Sequence, residues 1–335
     1  MKLVPPKDLL NFLRNEDNFL LATHVNPEGD AIGSTIALSM ALETLGKNTV
    51  IYDRDIVPEF YRFLPGHERF INSISNLKSQ ISNLILLDCN TLERAEIEGM
   101  RFKYSAVIDH HGPAPLCGAR PGTEKSTTHG DFGDIRWIEP KAAATGLMVF
   151  YLIKELGIKI TREIAINLYS AISVDTGTFR YSNTTAEVLR VGAELIEAGA
   201  SPAYISNHLY ETWSEERFAL LIMALNTLEI RGDVAITVVT KEMYQKTGAG
   251  PADTENFCNF PRMMKDVKVS ALFREIDDNY WKVSLRSRGD INVAKVATVF
   301  DGGGHENAAG YKIMAELESA KESLLKTLPL CLPSP

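Results

Sequence analysis

Three potential metal ligands crowd one turn near the start of the chain. His24, Glu28 and Asp30 supply an imidazole and two carboxylates within seven residues, and Pro27 and Gly29 interrupt regular structure between them. Nitrogen and hard oxygen donors in this combination suit a divalent ion such as manganese. Each residue also has a structural explanation, since a strand end can hydrogen-bond a histidine, water can solvate a glutamate and an aspartate can cap a helix. This turn by itself leaves both interpretations open.

Further potential ligands follow directly after predicted strands or helices: Asp88, Asp109, His110, His111 and Asp175. The run 83–87 before Asp88 is almost continuously apolar, which is typical of a parallel strand buried on both faces, and 105–108 repeats the pattern. In open α/β sheets, ligands bind outside the carboxyl ends of the strands. We therefore expect these side chains to gather near the turn that contains His24.

Hydrophobic periodicity predicts the elements that position these residues. A buried strand over 18–24 and a helix over 30–46 flank the first turn, and helical spacing returns at 142–156 and 162–174. Alternating short strands and helices are typical of an α/β protein with a mostly parallel sheet flanked by helices. We therefore predict this fold for the first part of the chain.

The last third of the chain has a different pattern. Helical stretches over 202–210 and 214–230 are followed by strands predicted at 234–240, 267–275 and 280–286. A run of three glycines then precedes His305, which would let the backbone approach a ligand closely. We predict a helical linker followed by a second, smaller α/β domain.

Size, charge and cysteine content limit the class of protein. A chain of 335 residues exceeds what one hydrophobic core usually serves, so two domains are expected. The net charge of −8 argues against a protein that holds long nucleic acid through its phosphates. The four cysteines are scattered and form no CxxC pair, which is typical of a reducing compartment. Without a signal-peptide pattern or a membrane-spanning apolar run, we expect a cytoplasmic protein with no membrane partner.

Five motifs occur in the order found in the DHH/DHHA1 phosphoesterase family, and the chain resembles this family over its whole length. The motifs are His24-x-Asn26-Pro27-Glu28-Gly29-Asp30, Asp88, Asp109-His110-His111, Asp175-Thr176-Gly177 and Gly302-Gly303-Gly304-His305-x-x-Ala308-Ala309-Gly310. Within the family, the chain most resembles the bacterial oligoribonucleases (nanoRNases) that also dephosphorylate 3′-phosphoadenosine 5′-phosphate (pAp). The resemblance implies a catalytic DHH domain over 1–195, a helical linker over 196–230 and a DHHA1 substrate-binding domain over 231–328.

The resemblance also implies a centre of two divalent ions, with manganese expected and magnesium or cobalt as alternatives. It assigns one ion to His24, Glu28, Asp88 and Asp175. It assigns the other ion to Asp30, Asp88, His110 and Asp175. His111 is expected to contact the scissile phosphate, while Asp109 orients an imidazole. Four carboxylates would balance the charge of the two ions, and an activated water would attack phosphorus in line.

The second domain is expected to bind the substrate. The resemblance assigns a terminal phosphate or the nucleotide to Arg286, Ser287, Gly303, Gly304 and His305. Arg286 has an alternative interpretation as a surface charge at a strand end. Glu28 departs from the family, which usually has Asp at that position, and we interpret it as a tolerated ligand exchange.

The expected function is hydrolysis of short oligoribonucleotides to mononucleotides and of pAp to AMP. One alternative is hydrolysis of linear or cyclic dinucleotides (pApA, c-di-AMP) or of another small phosphoester or phosphoanhydride on the same scaffold. A second alternative is a nucleotide-binding module without catalysis. The sequence leaves open the end of RNA that is attacked, the preferred length, the role of the 112–134 loop and the oligomeric state, with a homodimer as one option.

Overall fold

The computed structural model describes residues 3–74, 81–97, 99–111 and 132–331, except for the side chains of His305, Leu330 and Cys331. Most of the predicted 112–134 loop, from 112 to 131, lies outside the described residues. The described chain divides into two compact units, the first ending at Thr212 and the second beginning at Trp213. In the described ranges, no helix combines the length and the apolar character that a membrane crossing requires.

The first unit is built on a six-stranded sheet in which all neighbouring strands are parallel. Its strands are β1 (Phe19–Ala22), β2 (Thr49–Tyr52), β3 (Phe70–Ile71), β4 (Asn83–Leu87), β5 (Tyr104–Asp109) and β6 (Ile135–Ile138), in the order β3-β2-β1-β4-β5-β6. The central strands β1 and β4 are buried along their whole length, which explains their nearly uninterrupted apolar sequence. The predicted parallel sheet is confirmed.

Helices pack mainly on one face of this sheet. They are α1 (Lys7–Asn15), α2 (Gly29–Thr44), α3 (Leu92–Ala95), α4 (Thr145–Glu155), α5 (Arg162–Asp175), α6 (Ala186–Glu197) and α7 (Pro202–Tyr210). Successive residues of β1 enter different cores, because strand side chains alternate between faces. Leu21 packs with α2, α4 and α5, whereas Leu20 packs in a smaller core on the other face.

Glycines let α2, α4 and α5 approach one another closely. A Cβ atom on Gly33 of α2 would lie 2.5 Å from the backbone oxygen of Asn167 in α5. A Cβ atom on Gly146 of α4 would lie 2.6 Å from the Cβ of Ala171 in the same helix α5. This packing brings together the N-terminal ends of α2 and α4 and the C-terminal end of α5, which carry predicted ligands.

Gly33→Ala is therefore expected to destabilise the first unit by about 1–3 kcal/mol, because its methyl group must displace backbone. Gly192→Ala in α6 provides a matched control, since its Cβ would make only ordinary contacts, with the rings of Phe179 at 3.6 Å and Tyr169 at 4.0 Å. This control should be neutral or should stabilise the unit by up to about 1 kcal/mol, the helix-propensity gain of alanine. Denaturant unfolding monitored by circular dichroism measures both changes. Equal stabilities for the two variants would contradict close packing at Gly33.

The second unit is built on a mixed six-stranded sheet in the order β11-β12-β10-β9-β8-β7, where only the β8–β9 pair is parallel. Its strands are β7 (Glu229–Arg231), β8 (Val234–Val239), β9 (Val269–Asp277), β10 (Tyr280–Ser287), β11 (Gly303–His305) and β12 (Ala308–Met314). Its helices are α8 (Glu215–Asn226), α9 (Lys241–Thr247), α10 (Val293–Val299) and α11 (Leu317–Thr327). The second α/β unit predicted from the sequence is thus confirmed.

The predicted helix over 214–230 is too long. Helix α8 ends at Asn226, and Glu229–Arg231 forms β7, which pairs with β8. Gly232 between these strands has a φ of +63°, a conformation that glycine adopts without strain and that permits the reversal. Pairing with a neighbouring strand therefore overrides the helical periodicity of this segment.

Candidate functional site

His24 and Glu28 lie in the turn between β1 and α2. Asn26, midway between them, has a left-handed φ of 56°, and its N–H donates to Asp55 Oδ2 at 2.7 Å. The N–H of Asp55 in turn donates to Oδ1 of the buried Asp53 at 2.8 Å. The loop after β2 therefore holds the ligand-bearing turn in place.

Asp30 does not cap its own helix, as one explanation of the sequence suggested. Helix α2 begins at Gly29 with Glu28 at the N-cap position, so Asp30 lies inside the first turn and is fully buried. Its carboxylate accepts the N–H groups of Thr145 at 2.6 Å and Gly146 at 2.7 Å. These are free N–H groups at the start of α4, where the helix dipole also favours a negative charge. Asp30 thus caps a different helix.

Asp88 occupies the middle of the site, directly after β4, where its backbone has a left-handed φ of 56°. Its carboxylate oxygens lie 3.6 Å from His24 Nε2, 3.4 Å from His110 Nε2 and 3.4 Å from His111 Nδ1. The hydroxyl of Thr145 donates to Asp88 Oδ1 at 2.9 Å. Thr145 therefore contacts both Asp30 and Asp88, although nothing in its local sequence indicated a functional role.

The remaining predicted residues complete the same cluster. Asp175 ends α5, and its Oδ2 lies 3.1 Å from His110 Nε2, which is also 3.8 Å from Asp30 Oδ2. Asp109 ends β5 and is fully buried. Its Oδ1 lies 2.6 Å from His111 Nδ1 and accepts the backbone N–H of His111 at 3.0 Å. Asp109 therefore fixes the ring of His111.

Three overlapping groups of side chains have ligand atoms within 4.8 Å of one another. They are His24 with Glu28 and Asp88, Asp88 with His110 and His111, and Asp30 with His110 and Asp175. The structure thus brings all six sequence-predicted metal ligands to one place. The repeated presence of Asp88 and His110 makes the three groups one continuous centre.

Burial and mutual repulsion control the protonation of this centre. Burial, reinforced by neighbouring carboxylates, raises the pKa of Glu28 to about 7 and that of Asp30 well above its usual range. Burial alone would also raise the pKa of Asp88, but the three nearby imidazoles hold it well below its usual range. Burial lowers the pKa of His110, yet the surrounding carboxylates outweigh that effect and raise it well above the usual value. In the absence of cations, protons therefore compensate the crowded negative charge.

The donor set fits divalent cations. His24 Nε2 and Asp88 Oδ2 are buried, lie 3.6 Å apart, and have no hydrogen-bond partner among the described residues. A buried nitrogen and a buried anionic oxygen without hydrogen-bond partners destabilise the fold unless a cation or water lies between them. Imidazoles and carboxylates together suit manganese and related divalent ions. The centre is therefore compatible with divalent metal binding.

The predicted substrate residues lie in the second unit, on adjacent strands. Arg286 of β10 and His305 of β11 are both paired in register with Ala308 of β12, from opposite sides. Arg286 is half-buried and donates through Nη1 to the carbonyl oxygen of Leu285 at 3.0 Å. The sheet register thus places the backbones of Arg286 and His305 two strands apart at the same level.

Ser287 and two of the three glycines also have structural tasks. Ser287 is buried and donates to the carbonyl oxygen of Ile291 at 2.6 Å, so its predicted contact with substrate stays a prediction. A Cβ atom on Gly302 would lie 2.3 Å from the Gly310 oxygen, and one on Gly304 would lie 2.5 Å from the Ala308 oxygen. Of these three glycines, Gly303 is the one with no described atom within 4 Å of its Cβ position. Close approach of β12, which the sequence did not reveal, thus accounts for two of these glycines.

The fold and the site define a two-unit α/β protein whose first unit holds a centre of carboxylates and imidazoles suited to divalent ions. Residues 18–172 match the DHH family, N-terminal domain, and residues 232–332 match the DHHA1 domain. The chain belongs to the DHH family and is a phosphoesterase with the DHH/DHHA1 architecture.

Several relatives are similar over nearly the whole chain. A protein of Thermus thermophilus named bifunctional oligoribonuclease and PAP phosphatase NrnA is 34% identical, with 93% of this chain and 90% of the relative covered. The Bacillus subtilis protein of the same name is 25% identical, covering 91% of this chain and 92% of the relative. The crystal structure of an exopolyphosphatase-related protein from Bacteroides fragilis has a TM-score of 0.84 at 28% identity, covering 97% of this chain and 96% of that one.

Proposed function

We propose that this phosphoesterase hydrolyses short oligoribonucleotides to mononucleotides and pAp to AMP with two divalent ions. The main support is the convergence of the six predicted imidazole and carboxylate ligands, Asp88 among them, in one continuous cluster. The names of the similar Thermus and Bacillus proteins point to the same pair of activities. A nucleotide-binding module without catalysis would have no need of so complete a ligand set.

In this proposal the predicted ligands divide between two ions. His24, Glu28, Asp88 and Asp175 would hold one ion, and Asp30, Asp88, His110 and Asp175 would hold the other. Manganese is the expected ion because the donors combine imidazole nitrogen with carboxylate oxygen. When bound, the ions would supply an activated water and would stabilise negative charge at phosphorus.

The remaining residues of the centre orient its reacting groups. His111 is proposed to contact the scissile phosphate, and its ring is fixed by the 2.6 Å contact with Asp109. Thr145 donates its backbone N–H to Asp30 and its hydroxyl to Asp88, and so fixes both carboxylates relative to one another. Glu28 is proposed to act in place of the Asp usual in the family, since its side chain lies within the ligand cluster.

The second unit is proposed to hold the part of the substrate away from the scissile bond. Arg286, Ser287, Gly303, Gly304 and His305 would bind a phosphate or the nucleotide. The domain limits 1–195, 196–230 and 231–328 stay predictions, as do the cytoplasmic location and a homodimer. The range 196–230 includes the division between the two units.

A substrate panel tests the proposed function. With manganese, pAp and oligoribonucleotides of about two to five residues should be turned over well above a 20-mer, because a net-acidic chain offers little to hold a polymer. Chelator should abolish each activity. The panel also includes pApA, c-di-AMP and pyrophosphate, with products separated by ion-exchange chromatography.

Three results of this panel would contradict the proposal. Preference for c-di-AMP or pyrophosphate would favour the alternative hydrolases, and processive digestion of the 20-mer would refute the expected preference for short substrates. Full turnover in chelator would remove the proposed role of the metal ions.

A further inference from the structure

Three basic side chains lie in register across three neighbouring strands of the second unit. Lys282 in the middle strand β10 is paired with Arg274 of β9 on one side and Lys312 of β12 on the other. Residues paired in this way point to the same face of a sheet. We call Arg274, Lys282 and Lys312 the cationic row. With strands about 4.8 Å apart, the row is about 10 Å wide.

The row is electrostatically unfavourable in the free protein. Like charges directly opposite one another destabilise a strand pair. Partial desolvation of its side chain, followed by repulsion from Arg274 and Lys312, lowers the pKa of Lys282. Among the described residues, no carboxylate lies within ion-pair distance of Lys282 or Lys312, although the chain has a net charge of −8. The Glu255 carboxylate attracts Arg274, whereas the Lys282–Lys312 pair lacks a compensating acid among the described residues, which indicates a ligand that supplies negative charge there.

On this face β10 and β12 are open to solvent, whereas β9 is covered: Arg274 is half-buried and donates through Nη1 to the carbonyl oxygen of Pro251 at 3.0 Å and to Thr254 Oγ1 at 2.7 Å. Residues on the opposite face, such as Trp281 and Val283, are buried in the core formed with α10 and α11. Lys282 and Lys312 are exposed. The next paired level holds the small residues Ser284 and Gly310 on the open strands and the buried Leu272 on β9.

The row is continuous with the proposed phosphate site. Arg286 stands four residues beyond Lys282 on the same face of β10, a distance of about 13 Å along the strand. Tyr280, on the same face, adds a half-buried aromatic ring at the other end. Cations flanked by an aromatic side chain are typical of surfaces that bind single-stranded nucleic acid. Lysines contribute charge without fixed hydrogen-bond geometry, which suits contact with phosphates regardless of base sequence.

We propose that the cationic row binds the phosphodiester backbone of a short single-stranded oligoribonucleotide, beyond the phosphate held near Arg286. This rests on the proposed function and deepens it by defining a subsite for the additional nucleotides. Because the surface extends only about 13 Å, it serves a few nucleotides and no polymer. Substrates that are too small to reach the row, such as pAp, gain nothing from it.

The double variant Lys282→Gln/Lys312→Gln tests this subsite. Its kcat/KM for a pentaribonucleotide should fall about tenfold, while its kcat/KM for pAp should change by less than about twofold. The salt dependence of pentaribonucleotide binding should weaken by about 0.7 in log–log slope for each lysine lost. The matched control is Lys246→Gln/Lys326→Gln, which removes two exposed lysines of the same unit that pair with Glu242 and Glu322. This control should match the parent enzyme on both substrates.

Binding without catalysis separates this proposal from the proposed function. Fluorescence anisotropy of a labelled pentaribonucleotide, measured in chelator, should show weaker binding to the double variant than to the parent or the control. Equal binding by all three proteins, or equal losses of kcat/KM for pAp and for the pentaribonucleotide, would overturn the proposed role of the cationic row. Weaker binding by the double variant, with no hydrolysis of oligoribonucleotides by the parent, would support the row and reject the proposed function. A melting temperature equal to or above that of the parent is expected, since the substitution removes opposed charges.

Discussion

Asp88→Asn is expected to reduce the turnover of pAp and of short oligoribonucleotides by at least ~10³-fold. Asp88 is the carboxylate shared by the groups that contain His24 and His110, so its loss affects both proposed ion sites. Asparagine has the same shape and tolerates the left-handed φ of 56° at this position, so the backbone should be retained. Steady-state kinetics with manganese measures the loss, and metal analysis of the purified protein reports the number of ions retained.

Asp134→Asn is the control for the Asp88 substitution. Asp134 accepts hydrogen bonds from the backbone and side chain of Ser105, outside the ligand cluster, so this variant should keep parental activity. If Asp88→Asn hydrolysed pAp at a tenth of the parental rate with both ions bound, the assignment of Asp88 as a shared ligand would be wrong.

Substitutions in the second unit should have the next largest effect, and that effect should depend on the substrate. Arg286→Ala and His305→Ala are each expected to lower kcat/KM for a dinucleotide by about 30- to 1000-fold, corresponding to about 2–4 kcal/mol. All proposed metal ligands lie at or before Asp175, in the other unit, so metal content should not change. Hydrolysis of a small aryl phosphodiester, which lacks the remote phosphate, should be nearly unaffected. Parallel kinetics on the two substrates measure the difference.

Arg231→Ala supplies the control for these substitutions, because Arg231 lies on the edge strand β7 and pairs with Glu229. It should leave both activities at the parental level. Equal losses on both substrates with unchanged metal content would place Arg286 or His305 at the scissile phosphate instead. Equal losses with metal missing would mean that the ligand set extends into the second unit.

Much of the site could be predicted from the sequence because its acidic residues lie at the ends of parallel strands, where a local pattern reveals them. Strand β4 ends at Leu87, one residue before Asp88, and strand β5 ends at Asp109 itself. Since parallel strands have their carboxyl ends at one edge of the sheet, an apolar run followed by a carboxylate indicates both an element and a place. The six metal ligands could therefore be predicted from the positions of strand ends and helix ends and from their order along the chain.

The hydrogen bonds and packing contacts that hold these ligands in place could not be predicted in the same way. Thr145 reaches Asp30 across 115 positions of the sequence, and Asp55 reaches Asn26 across 29. The glycines of α2 and α4 are required only because α5 packs closely against them, which the sequence does not show. Such contacts join residues whose own neighbours in the sequence have ordinary patterns, so no local signal records them.

The two-unit α/β organisation, the family and the chemical character of the centre could be predicted from the sequence, because they depend on periodicity and on residue types at element ends. Tertiary structure decided the capping of α4 by Asp30, the limits of α8 and the cationic row. A net charge of −8 suggests no surface for a polyanion, yet the register of β9, β10 and β12 aligns Arg274, Lys282 and Lys312. Composition sums charge over the chain, whereas binding depends on where strand pairing places it.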